Sequence, residues 1–209
     1  MYEDSADGAE ARWAETWSLL GLAPPTGPLT LLVERHRESH RHYHVLGHVL
    51  DCLGQAAACR PIQRRPAAVD LALWFHDAVY DTRRSDNEER SAELAAEQLS
   101  GIVPEDLLAE VGQLVLATRH RPEPPPSGDA AVVADVDLTI LGEPADRFDA
   151  YQTAIRREYS WVPRSVYPRR RARLLEGFLA RERIYATDRF HDRYEAAARR
   201  NLARALHDL

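Results

Sequence analysis

Apolar residues recur along most of this chain at spacings of three and four, the period of an amphipathic helix. Residues 9–20 place Trp13, Trp17 and Leu20 on one stripe, and 29–38 form a short leucine-rich segment begun by Pro28. Residues 43–58 align Val45, Val49, Cys52, Leu53 and Ala56. Residues 67–75 are apolar nearly all round, which predicts a helix buried on every side. Segment 88–99 ends before Gly101, 105–118 follows Pro104 (a favoured first-turn residue), and 130–141 is closed by Gly142. Segments 145–161, 169–183 and 188–206 complete the series. Strand signals are nearly absent: Ala131-Val132-Val133 is β-prone but lies inside a longer apolar stretch. The run RPEPPPSG at 121–128 lacks the N–H groups that helix or sheet needs, and predicts a surface loop beside a site. No internal repeat interrupts the pattern. The expectation is an all-α fold, a single helical domain over 1–209, with a metal-binding core at 30–142 and C-terminal helices at 145–209.

Composition narrows the class. At 209 residues, 44% hydrophobic and 29% charged, the chain has the make-up of a globular domain. No apolar run approaches a membrane span. Met1-Tyr2-Glu3-Asp4 lacks the order of a signal peptide, so a cytoplasmic protein is expected. Cys52 and Cys59, seven apart on one predicted helix, stand about 10 Å apart. A disulfide needs Cα atoms within about 7 Å, so both are expected as small core residues. All 27 basic residues are arginine, which removes lysine-based chemistry. The net charge of −6 argues against stable nucleic-acid binding. Even so, 14 arginines fall between Arg156 and Arg204, enough to hold phosphate oxygens. Walker-type loops, G-x-S-x-G elbows and G-x-G-x-x-G stretches are missing from the sequence.

The chemistry lies in three islands of histidine and acid. His44 and His48, four apart, share a face on a helical reading, with Asp51 three residues further on. His76-Asp77 ends the apolar 67–75 segment. Asp135 and Asp137 lie in the 130–141 segment, two apart and so facing nearly opposite ways. A buried His-Asp pair is costly unless a cation or partner neutralises it. Imidazole nitrogen and carboxylate oxygen together are the ligand set of a catalytic divalent metal. For any one of these residues alone, a hydrogen-bonded core residue is the better explanation; jointly they point to a metal.

The joint pattern resembles the HD superfamily of metal-dependent phosphohydrolases. The resemblance runs through His42-Tyr43-His44-x3-His48, Trp74-Phe75-His76-Asp77-x2-Tyr80-Asp81, Asp86-Asn87-Glu88-x2-Ser91-Ala92 and Asp135-x-Asp137-Leu138-x2-Leu141-Gly142. It continues through Arg157-Glu158-Tyr159 and Phe178-Leu179-x-Arg181, and is nearest to a bacterial group of predicted HD phosphohydrolases. It implies one N-terminal histidine, His76, Asp77 and a late aspartate as metal ligands. The Tyr-His-x3-His arrangement is also similar to that of cyclic-nucleotide phosphodiesterases. By that likeness His48 is the ligand and His44 the general acid, with the reverse assignment as the alternative. Asp137 is favoured as the late ligand, Asp135 being the alternative or a support beside it. Catalytic candidates are His44, Asp77, Glu88 and His120, the last reaching phosphate or completing a second metal site. Arg41, Tyr80, Arg157, Tyr159 and Arg171 are the candidates for substrate binding.

The resemblance implies one or two divalent ions drawn from Mn, Fe, Co, Ni and Zn, and hydrolysis of a phosphate ester or anhydride in a small metabolite, first a nucleotide. Neither a membrane partner nor a stable nucleic-acid partner is expected, and a homodimer is compatible with the chain. One rival is an HD-type di-iron oxygenase, which requires further histidines between His76-Asp77 and the late aspartate; His120 is the one histidine in that interval. The other is a non-catalytic metal-bearing ligand-binding protein, against which His44 stands as a proton donor.

Overall fold

The computed structural model describes residues 6–120 and 125–209. The N-terminal tetrapeptide and residues 121–124 of the proline-rich run lie outside them. Among the described residues there are ten α-helices and no strand. They are α1 (Ala6–Ser18), α2 (Thr26–Arg35), α3 (Leu46–Ala57), α4 (Pro66–Phe75) and α5 (Asn87–Leu99), followed by α6 (Glu105–Ala117), α7 (Gly128–Asp137), α8 (Ala145–Glu158), α9 (Tyr167–Leu179) and α10 (Asp188–His207).

Helix α4 organises the rest. Pro66 starts it, and every residue from Ala67 to Phe75 is buried. Helices α1, α3, α5, α6 and α7 all pack against it. On the α1 side, Trp74 meets Trp13 edge to face at 5.3 Å and donates its indole N–H to Thr16 Oγ1 at 3.1 Å. The all-round apolar run thus forms the central helix because no face of it is left to water. Helices α8 and α10 close the bundle against a 3-10 turn, Leu138–Gly142, that follows α7 directly, and α9 packs on α10. Gly142 permits that closure: a Cβ there would stand 2.6 Å from Tyr194 Cβ and 2.8 Å from the Tyr194 carbonyl oxygen of α10.

Two predicted elements change shape. The 130–141 segment divides into α7 and the 3-10 turn, with Asp137 at the junction. The 43–58 segment starts as a helix only at Leu46, because Val45 is extended (φ −102°, ψ 172°). The N–H groups of His42, Tyr43 and His44 instead donate to Glu158 Oε1, at 2.7, 2.7 and 3.0 Å. His44 therefore lies in the turn before α3, not on the same helical face as His48. Asp51 is turned away, paired with Arg147 at 2.9 Å. Cys52 and Cys59 are both buried and free. No helix among the described residues is long and apolar enough to cross a membrane.

Candidate metal centre

Three helix ends deliver the donors. His48 comes from the first turn of α3, His76 caps the C-terminus of α4 with Asp77 next to it, and Asp137 is the last residue of α7. The Nε2 atoms of His48 and His76 stand 3.3 Å apart. His48 Nε2 is 3.0 Å from Asp137 Oδ1 and 3.7 Å from Asp77 Oδ2. His76 Nε2 is 3.0 Å from Asp77 Oδ2 and 3.6 Å from Asp137 Oδ1. Two ligands of one ion, each about 2.1 Å from it, are separated by about 3.0–3.4 Å. Three of the five spacings fall in that range, and those of 3.6 and 3.7 Å lie just outside it.

Hydrogen bonding outside the cluster aims His76. Its Nδ1–H donates to the Leu73 carbonyl at 2.8 Å, which leaves the Nε2 lone pair directed at the other donors. Cys52, one turn after His48, brings its Sγ to 3.8 Å from both His48 nitrogens. The donor atoms of His48, Cys52, His76 and Asp137 all lie within 4.8 Å of one another, so this group could hold a metal ion. Inward-facing imidazole lone pairs between two carboxylates fit a divalent cation, since only protons or a cation can bridge them.

The charges respond to that crowding. Burial alone would raise the carboxyls of Asp77 and Asp137. The His76 and His44 charges pull Asp77 down, and hydrogen bonds from His120, His48 and His76 pull Asp137 well below the usual carboxylate range. Burial would lower His76, but Asp77 and Asp137 hold it well above an ordinary imidazole. The Cys52 thiol is pushed up by burial and by the same two carboxylates.

His44 stands beside the cluster, its ring 6.0 Å from that of His48. Its Nδ1 faces Glu158 Oε2 at 2.8 Å, and its ring stacks on Tyr80 at 4.1 Å. Burial would lower its pKa; Asp77 and the Glu158 hydrogen bond raise it overall, which favours the protonated ring. Tyr80 donates its hydroxyl to Glu158 Oε2 at 2.8 Å, so Tyr80 orients Glu158 and His44 and is not free for substrate. Burial raises the Tyr159 hydroxyl beside this group. Glu158 itself would be raised by burial, but His44 and the N–H groups of His42 and Tyr43 draw it down to about 2.

His120 faces Asp137 Oδ2 through Nε2 at 2.7 Å. Its backbone is left-handed (φ 50°), and Arg181 donates to its carbonyl. A non-glycine residue held there, at a site, is a backbone constrained by its surroundings. Glu88 in the first turn of α5 is partly buried; burial first, then the Asp77 charge, raises its carboxyl.

Several expected site residues are engaged elsewhere. Asp135 accepts from the N–H groups of Ala186 and Thr187 and from Thr187 Oγ1, each at 2.7 Å, so it anchors the start of α10 and is no ligand. Arg41 is buried and donates to the carbonyls of His44 (3.2 Å), Asp77 (2.6 Å) and Ala78 (3.2 Å). It ties the 41–44 turn to the end of α4 and is not available to a phosphate. Arg171 is buried against Tyr151 and Gln152, donating to the Tyr151 hydroxyl at 3.0 Å. Tyr151 and Tyr43 separate it from His48. Arg157 is exposed on α8.

Two further residues, Glu158 and Cys52, belong to the surroundings of this cluster. Glu158 had a signal: it falls on the buried stripe of α8 with Phe148 and Ile155, where an acid needs a reason. Cys52 had only its spacing of four from His48. No protein-family model, curated protein or solved structure matches this chain.

Proposed function

We propose that this chain is a divalent-metal-dependent phosphohydrolase of the HD type. It acts on a phosphate ester or anhydride of a small metabolite, a nucleotide first among the candidates. The observation that carries this reading is the convergence of His48, His76, Asp77 and Asp137 from three separate parts of the chain, with each histidine Nε2 3.0–3.7 Å from both carboxylates and the two Nε2 atoms 3.3 Å apart. These four residues would hold the ion. A divalent cation supplies Lewis acidity there, making hydroxide available near neutral pH and offsetting charge on phosphoryl oxygens.

The remaining residues supply proton handling and orientation. His44, with Nδ1 held by Glu158 and its ring face against Tyr80, keeps Nε2 free to give a proton to the leaving oxygen. The raised His44 pKa favours the protonated ring. Asp77 and Glu88 would orient the attacking water by accepting its hydrogen bond. His120, whose Nε2 faces Asp137, would meet a phosphoryl oxygen or assist a second ion.

The test joins metal analysis to turnover. Purified protein is expected to hold a divalent metal that Asp137→Ala or His76→Ala removes. Phosphate release from a panel of nucleotides and sugar phosphates is expected with one of Mn, Fe, Co, Ni or Zn restored. His44→Ala then lowers kcat by about 10²–10⁴-fold while leaving bound metal unchanged. A protein that binds metal yet releases phosphate from nothing on the panel, with any of the five ions, overturns the reading.

A further inference from the structure

Cys52 comes off the same face of α3 as His48, one turn later. Its residue is 2% exposed, and its sulfur lies 3.8 Å from both His48 ring nitrogens. A thiolate and an imidazole bound to one tetrahedral ion stand about 3.6 Å apart. Equal distances from the two nitrogens place the sulfur beside the His48 ring, so ligation requires the Cys52 side chain to turn toward Nε2, the atom that faces His76 and Asp137. The donor atoms of His76 and Asp137 lie no more than 4.8 Å from the sulfur, and the same turn of the Cys52 side chain brings it toward them. Cys59, also buried and free, is not in the group.

We infer that the Cys52 thiolate is a ligand of this centre, which therefore takes a thiophilic divalent ion, zinc, cobalt or iron, ahead of magnesium or manganese. This rests on the proposed metal centre and adds a sulfur that the His-Asp motif does not contain. Binding exchanges the S–H bond for a sulfur–metal bond, and the proton leaves to solvent. Thiolate is a soft ligand, so its presence shifts selectivity away from the ions that oxygen-only shells prefer.

Cobalt(II), added without oxygen to the metal-stripped full chain, reads both claims in one spectrum. Wild type is expected to show visible d–d bands together with a thiolate-to-cobalt charge-transfer band in the near ultraviolet. Cys52→Ser is expected to lose the near-ultraviolet band, keep the visible ones and bind cobalt at least about tenfold more weakly. Its manganese affinity changes by less than about twofold, since manganese gains little from sulfur. Cys59→Ser keeps the full spectrum. Visible bands without charge transfer in wild type overturn the Cys52 assignment and leave the His/Asp centre standing. No cobalt bands at all overturn both. Should Cys52→Ser fail to fold by circular dichroism, the wild-type spectrum still decides.

Discussion

Glu158 has no exposed side-chain surface, and five donors satisfy it: three backbone N–H groups on one oxygen, His44 and Tyr80 on the other. The first oxygen shapes the turn that carries His44; the second sets the direction of the His44 ring and the place of its proton. Glu158→Gln keeps an oxygen for the backbone donors but turns an amide toward His44, removing one of the interactions that, with Asp77, hold its pKa up. On the proposed phosphohydrolase reading, the expected outcome is a fall in kcat of about 10–100-fold. The alkaline limb of the pH–rate profile also moves to lower pH, because a less basic imidazole loses its proton sooner. A merely structural role for Glu158 would lower the amount of active enzyme without moving that limb.

At the scale of elements, the pattern of the chain made α4 plain, since an all-apolar run has one place to go. The convergence of the His76-Asp77 and Asp137 islands with His48 followed from residue type. The start of α3 was not legible. Helical spacing puts His44 and His48 on one face, but the backbone at 42–44 finds its acceptor on α8, more than a hundred residues away. Arg41 and Arg171 misled for a related reason: arginine near a phosphate site and arginine bracing a buried turn are the same letter, and only burial separates them. The choice between Asp135 and Asp137 needed the position of 186–187. A glycine that closes an element onto another is testable directly. Gly142→Ala must displace α10 from the 3-10 turn, because the new methyl would meet backbone as well as side chain of Tyr194. A loss of about 1–3 kcal/mol in urea denaturation is expected. An unchanged midpoint would mean that the two elements part without cost.

The whole molecule stores charge in ways that set its stability against pH. His36 is buried and its Nδ1 donates to the Leu32 carbonyl at 2.8 Å; burial, then the Arg41 charge, holds its pKa down to about 3. The unfolded chain takes up that proton near pH 6.5, so the His36 contribution is complete above about 6.5 and is lost as pH falls toward 3. Glu158, at about 2 in the folded chain, adds a second loss as pH falls below about 4.5. His76 and His44 act with the opposite sign. Their folded pKa values are raised, so in metal-free protein their contribution is present below about 6.5 and lost as pH rises through those values. Metal-free protein is therefore expected to be most stable near neutrality and to weaken on both sides, by up to about 1.4 kcal/mol per pH unit for each proton involved. His36→Leu flattens the acid limb between about 4.5 and 6.5. A bound divalent ion flattens the alkaline limb, because it takes over from protons the task of holding the imidazoles and carboxylates together. Urea denaturation from pH 3 to 9, with and without zinc, measures all of this. An alkaline limb that zinc leaves unchanged would mean that protons and metal do not compete for the cluster of His48, His76, Asp77 and Asp137.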